Sequence, residues 1–203
     1  MNIIDISRPL SKVPSWPGDT IYHHALTNTC AADGYETASL SMSSHAGTHL
    51  DLPAHLIANG KRLGQYALST FVGPALVIDC GEGAEDKTAL LREADIRPGE
   101  RVLLKTNNST RSPEFIFPEY TYLSGEAAQV LVNKQVTLVG VDGPSLDHPD
   151  ETIAHRTLLE AGIPAIEWLD LSRAEAGRYT LVCLPLHIPE AEGVPCRAIL
   201  LPL

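Results

Sequence analysis

Positions 37–44 alternate without a break, with Ala38, Leu40 and Met42 on one side and Ser39, Ser41 and Ser43 on the other. A period of two predicts a half-buried strand, here one that runs directly into His45. Further strands are predicted at 3–7, 75–80, 101–106, 137–142, 165–169, 179–184 and 197–201. Between several of them the pattern turns helical. Residues 125–133 follow Ser124, a good N-cap, with Glu126 favourably placed in the first turn. Residues 151–161 follow Asp150 as a second cap; Gly162 ends this helix and Pro164 stops it. Residues 88–93 make a shorter candidate. Strands alternating with helices in the second half, and strand pairs nearer the N-terminus, predict a mixed α/β fold. The chain has no internal repeat, low-complexity tract or Gly/Ser linker, so a single domain over 1–203 is expected.

One stretch breaks the pattern. Residues 107–122 hold Asn107-Asn108-Ser109, Pro113, Pro118 and the aromatics Phe115, Phe117, Tyr120 and Tyr122. Such a long segment is either a functional loop or an irregular excursion whose aromatics pack back onto the core, and the pattern leaves both open.

Composition narrows the function classes. The 203 residues are 44% apolar with a formal charge of −10. That charge argues against non-specific binding to nucleic acid or to an anionic membrane, both of which need a cationic surface. No apolar run approaches a membrane span. The first residues, Met1-Asn2-Ile3-Ile4-Asp5, lack the charged start and apolar run of a targeting signal, so a cytoplasmic location is expected. Cys30, Cys80, Cys183 and Cys196 are scattered without a CxxC pair, the pattern of reduced, partly buried thiols with no catalytic role.

The chemistry concentrates in one place. Three of the eight histidines, His45, His49 and His55, fall within eleven residues together with Asp51. Imidazole and carboxylate are the ligands that borderline divalent metals such as zinc prefer. Gly47 permits close backbone approach, Thr48 can hydrogen-bond locally, and Pro53 stiffens the segment before His55. A preorganised metal loop is expected rather than a polar surface loop. A two-metal site needs ligands from elsewhere. His155, in the predicted 151–161 helix, and Glu167, inside the apolar run Ala165-Ile166-Glu167-Trp168-Leu169, are the candidates. A carboxylate in such a run is costly to bury unless paired or metal-bound. Each could also face water, His155 on a helix surface and Glu167 on a strand. His23 and His24 suit a strand after a turn at Trp16, while His148 and His187 read as surface or structural residues. Asp142 and Ser145 lie where a strand ends, a usual place for residues that line a site without ligating.

The segment His45-Ala46-Gly47-Thr48-His49-Leu50-Asp51-Leu52-Pro53-Ala54-His55 resembles the HxGTHxDxPxH signature of the metal-dependent cyclase family, which includes bacterial kynurenine formamidases. The resemblance continues through Trp16-Pro17-Gly18-Asp19, Gly140-Val141-Asp142-Gly143-Pro144-Ser145, His155-Arg156, Gly162-Ile163-Pro164 and Leu184-Pro185-Leu186, covering nearly the whole chain. It implies a swivelling β/β/α domain and a homodimer whose active site takes residues from both chains. It implies that His45, His49 and Asp51 ligate a first metal, zinc or in some members manganese. Asp51 would bridge to a second ion held by His155 and Glu167, and His55 would be the acid/base. Trp16 would correspond to an aromatic near the substrate, although a turn tryptophan packed on its own domain reads equally well. Around Glu167, the sequence Ile166-Glu167-Trp168-Leu169 follows the broader family more closely than the formamidases.

The chemistry stands without the resemblance. A divalent ion lowers the pKa of water towards 7 and polarises a carbonyl. A nearby histidine can then deliver a proton to the leaving group. Amide, lactone or lactam hydrolysis by hydroxide held on the metal is the natural reaction class; the resemblance implies an aryl amide, with N-formylkynurenine the foremost small-molecule substrate. Two other readings remain: a cyclic amide or lactone hydrolase of the isatin kind, and a non-catalytic metal- or ligand-binding module. The second of these leaves His55 without a purpose.

Overall fold

The computed structural model describes residues 2–81, 87–115 and 119–203. Its strands are β1 (Ile4–Asp5), β2 (His23–Asn28), β3 (Thr37–Ser41), β4 (His49–Asp51), β5 (Val72–Asp79), β6 (Arg101–Lys105), β7 (Leu138–Val141), β8 (Ala165–Glu167), β9 (Gly177–Pro185) and β10 (Gly193–Pro202). Its helices are α1 (Cys30–Asp33), α2 (Thr88–Glu93), α3 (Gly125–Asn133) and α4 (Ile153–Glu160). All the strands except β2 and β3 share one sheet in the order β1-β10-β4-β8-β7-β6-β5-β9, and β9 also pairs with β10. That last pairing closes the sheet into a barrel. β5 through β8 run parallel, their crossovers carrying α2, α3 and α4; the other pairings are antiparallel. The predicted mixed α/β class holds.

The apolar runs are continuous because both strand faces are buried. Ala75, Val77, Leu103 and Ile166 point into the barrel with Leu50, Phe71 and Leu181, whereas Ile78, Val102, Leu104 and Val139 pack beneath Leu131 and Leu158 of the helices. Each strand predicted outside 37–44 appears, with ends shifted by a few residues. β8 stops at Glu167, short of the predicted Leu169, because Trp168 turns to a left-handed φ of 58°. Among the described residues, no helix is long and apolar enough to cross a membrane. All four cysteines are unpaired, Cys80 and Cys183 in the core.

Three expectations need correction. The strand at 37–44 ends at Ser41, and every residue of β3 is exposed. Among the described residues it pairs only with β2, in a separate two-stranded ribbon, and none of them covers either of its faces. The cap of α4 is not Asp150: Thr152 holds the N-cap position without a side-chain bond, and the Asp147 carboxylate accepts from the amides of Ala154 (2.6 Å) and His155 (3.0 Å). Asp142 does not line the cleft described below. It is buried and accepts from the Thr106 amide and hydroxyl and from the Ser109 amide and hydroxyl. Burial raises its pKa against the pull of those bonds.

Of the 107–122 segment, Phe117 lies outside the described residues. Tyr120 and Tyr122 pack back beside Trp168, and the Tyr120 hydroxyl donates to the Asp147 carbonyl at 2.7 Å. The segment therefore braces the loop that caps α4.

Candidate metal centre

β4 is three residues long and fully buried, wedged between β10 and β8. The expected metal loop is thus partly a strand at the heart of the sheet. Alternation puts His49 and Asp51 on one face of β4 and Leu50 in the barrel core. His49 stands directly opposite Glu167 of β8 in the ladder. His45 reaches in from the preceding loop, His55 from a 3₁₀ turn begun by Pro53, and His155 from the first turns of α4.

These side chains converge. Asp51 Oδ1 lies 2.7 Å from His45 Nδ1 and 3.3 Å from His49 Nε2. Asp51 Oδ2 lies 3.2 Å from His155 Nε2. Glu167 Oε1 is 3.0 Å from His155 Nε2, and its Oε2 is 3.5 Å from His49 Nε2. Two sets of potential ligand atoms result, His45/His49/Asp51 and Asp51/His155/Glu167, each with its atoms within 4.8 Å of one another. Asp51 belongs to both. His55 belongs to neither, although its ring centroid is 4.3 Å from that of His45 and 6.1 Å from that of His155.

Neighbours fix the orientation of the rings. His49 Nδ1 lies 2.8 Å from the Gly47 carbonyl, which holds a proton on Nδ1 and turns the Nε2 lone pair towards the carboxylates. The Asp147 carboxylate does the same at His155 Nδ1, 2.6 Å away. Gly47 has a φ of 62°, and a Cβ there would meet Leu10 at 2.7 Å, so the close approach expected of it is real. Thr48 bonds across the fold rather than locally, donating to the Trp168 carbonyl and accepting from the Arg8 amide.

The charge balance marks the centre as a cation site. Asp51 Oδ1 is buried and receives no directed hydrogen bond, although two imidazole nitrogens stand beside it. Burial opposes charge on His49, yet Asp51 and Glu167 outweigh it and lift the pKa to about 9. His155 rises well above the usual histidine range for the same reason, with Glu167, Asp147 and Asp51 overcoming burial. Asp51 is held well below the carboxylate range: burial opposes this, and His49, His155 and His45 prevail. The buried carboxylates thus draw protons onto the imidazoles, and a divalent ion would replace those protons. The donor set, the shared carboxylate and the orphaned Oδ1 all fit such an ion.

The centre forms the floor of a cleft of about 280 Å³. Trp16, Leu56, Pro144 and Trp168 give it apolar walls, and Asp19, Ser145, His148 and Glu151 give it polar ones. Sequence reasoning expected Ser145 here and left Trp16 open between this place and packing on its own domain. It missed Asp147, Trp168 and the lining role of His148. The left-handed Trp168 was not foreseeable from its residue type, but Asp147, seven residues before Ala154, was a carboxylate within reach of the helix start.

The family described as "Putative cyclase" matches residues 4–148. A kynurenine formamidase of Bacillus cytotoxicus is 37% identical over 98% of this chain and 97% of its own. Among solved structures, a predicted metal-dependent hydrolase from Bacillus stearothermophilus superposes with a TM-score of 0.85 at 27% identity, covering 98% of this chain and 97% of that one. Isatin hydrolase A from Labrenzia aggregata shares the fold, with a TM-score of 0.84 at 23% identity over 98% and 93% of the two chains. A family match across most of the chain and a relative aligned end to end lead to one conclusion: the chain belongs to the cyclase family.

Proposed function

We propose that the protein is a single-domain, metal-dependent hydrolase of aryl amides, an arylformamidase that converts N-formylkynurenine and water to kynurenine and formate. The observation that carries this reading is the Asp51 carboxylate, buried and shared between two ligand sets. His45, His49 and Asp51 would hold one ion, and Asp51, His155 and Glu167 a second, zinc being the first choice and manganese the alternative. Bound there, the ions supply Lewis acidity, making water acidic near neutral pH and polarising an acyl oxygen.

The remaining work belongs to the chain. Partial desolvation, reinforced by His45 and His155, lowers the pKa of His55 against Asp51 and Glu167. Its imidazole is therefore neutral at neutral pH and ready to take a proton from the attacking water. As the C–N bond breaks, the same ring returns that proton to the leaving aryl nitrogen. Trp16 and Trp168 offer apolar surface for the aryl ring. Because His55 lies outside both ligand sets, a purely metal-binding module is disfavoured.

A second reading keeps the centre and exchanges the substrate for a cyclic amide such as isatin. No Lys or Arg lines the cleft among the described residues, which suits an uncharged ring. A turnover screen of the zinc- and manganese-loaded protein against N-formylkynurenine, isatin and simple aryl esters decides between them. Release of kynurenine well above the isatin rate supports the formamidase, the reverse supports the cyclic amide, and no turnover of any compound refutes both.

The assembly and compartment belong to the same reading. A two-stranded ribbon is marginal alone, and β2–β3 exposes Leu26 and Leu40 with Ile21 just before it. Covering these side chains favours a homodimer, and sedimentation of the loaded protein as a monomer would count against it. Four unpaired cysteines suit a reducing, cytoplasmic setting.

A further inference from the structure

We infer that Glu192 and Gly193, at the entry to β10, are positioning residues for His45. The inference rests on the metal-binding reading above. His45 differs from the other candidate ligands in its support. His49, Asp51 and Glu167 sit on strands and His155 on a helix, whereas His45 sits on a loop. Its side chain is 16% exposed, against 3% for His49 and 7% for His155. On the side of the ring away from Asp51, no carbonyl or carboxylate of the described residues holds its nitrogen at hydrogen-bond distance as the Gly47 carbonyl holds His49 and Asp147 holds His155. Something else must hold it.

Gly193 supplies the space. It stands opposite Asp51 in the β10–β4 ladder. A Cβ there would fall 2.3 Å from His45 Cε1 and 2.5 Å from Nε2. The imidazole therefore lies against the bare Cα of Gly193, with the His55 ring close by at 4.3 Å between centroids. No positive φ demands glycine here, so the demand is for room alone. Any side chain would have to displace the ring from this position.

Glu192 supplies the direction. Its Oε1 lies 3.6 Å from His45 Nε2, too far for a hydrogen bond and close enough for an electrostatic pull. The carboxylate is itself held, since the Ser44 hydroxyl donates to Oε1 at 2.8 Å. The amide of Leu52 donates to the Glu192 carbonyl at 2.9 Å, tying this residue to the strand that carries Asp51. The carboxylate stands on the Nε2 side of the ring and Asp51 Oδ1 on the Nδ1 side at 2.7 Å, so a proton directed from Nε2 towards Glu192 leaves the Nδ1 lone pair for an ion shared with Asp51. A metal ligand must present that lone pair.

The test is a metal titration of the full chain, read by cobalt(II) absorbance and by elemental analysis, with the melting temperature of the chelated protein alongside. His45→Ala and Glu167→Gln mark which ion depends on which ligand set. Glu192→Gln, which keeps the shape and the Ser44 bond but not the charge, is expected to weaken the His45-dependent ion about 10–100-fold. It should spare the ion that Glu167→Gln affects and leave the chelated melting temperature unchanged. Gly193→Ala should do the same more severely. Should Gly193→Ala fail to fold, Glu192→Gln and Glu192→Ala carry the test. Wild-type affinity in the Glu192 variants, or equal weakening of both ions, overturns the positioning role. A wild-type chain that takes up no ion overturns the metal reading beneath it.

Discussion

Asp51 and Glu167 sit close together out of water, and that proximity governs the residues around them. Two carboxylates so placed require positive charge, and in the absence of an ion the imidazoles provide it as bound protons. The pH dependence follows. The pKa of His49 rises from 6.5 to about 9 on folding. Its contribution to the stability of the metal-free fold is therefore full below about 6.5 and lost as pH rises through about 9. Chelated protein should lose melting temperature between pH 6.5 and 9 while loaded protein does not, and metal affinity should climb over the same window as the competing protons leave. Parallel curves for the two forms would contradict this assignment. His55 obeys the opposite logic: desolvation at the cleft lowers its pKa, and it has no place in either ligand set. His55→Ala should retain its metal and fold and lose on the order of 10²–10⁴ in turnover. Wild-type turnover in that variant would remove His55 from the mechanism.

At the scale of elements, α4 and the loop before it form one device. The Asp147 carboxylate caps the helix through the amides of Ala154 and His155 and also holds the His155 ring. Asparagine caps helices as well as aspartate does but lacks the charge that orients an imidazole. Asp147→Asn should keep the stability of the chelated protein within about 1 kcal/mol and weaken the Glu167-dependent ion about 10–100-fold. Unchanged metal binding would show the contact to be structural only. The sequence revealed the parts of this device unevenly. The barrel strands were legible because both faces are apolar, and the candidate site at His45, His49 and His55 because its histidines are densely spaced. β3 misled because its alternation looks the same whether or not a core lies beneath it; only the barrel's closure without β2 and β3 leaves the ribbon bare. Asp150 was the nearer cap by sequence, but the turn through His148 and Pro149 carries the chain so that Asp147 arrives at the helix end instead. Glu192 and Gly193 were invisible, since their partner His45 lies far back along the chain.

The whole molecule explains why a centre this polar can be buried. β10 pairs with β9 along its length and with β4 and β1 on its other side, closing the barrel and bringing the last strand against the signature segment. β8 closes over β4 from the opposite side and delivers Glu167 to His49. His49 and Asp51 on one strand and Glu167 on the other, candidate ligands separated by more than a hundred residues, are thereby fixed by sheet hydrogen bonds rather than by loops, which is the rigidity a metal centre needs. The account rests on Asp51 as the carboxylate common to two ions, and anomalous diffraction from crystals of the metal-loaded protein at the metal absorption edge tests that most directly. It predicts two peaks flanking the Asp51 carboxylate, one beside His45 and His49 and the other beside His155 and Glu167. Loaded crystals with no peak next to Asp51, or with ions bound only elsewhere on the molecule, would contradict it.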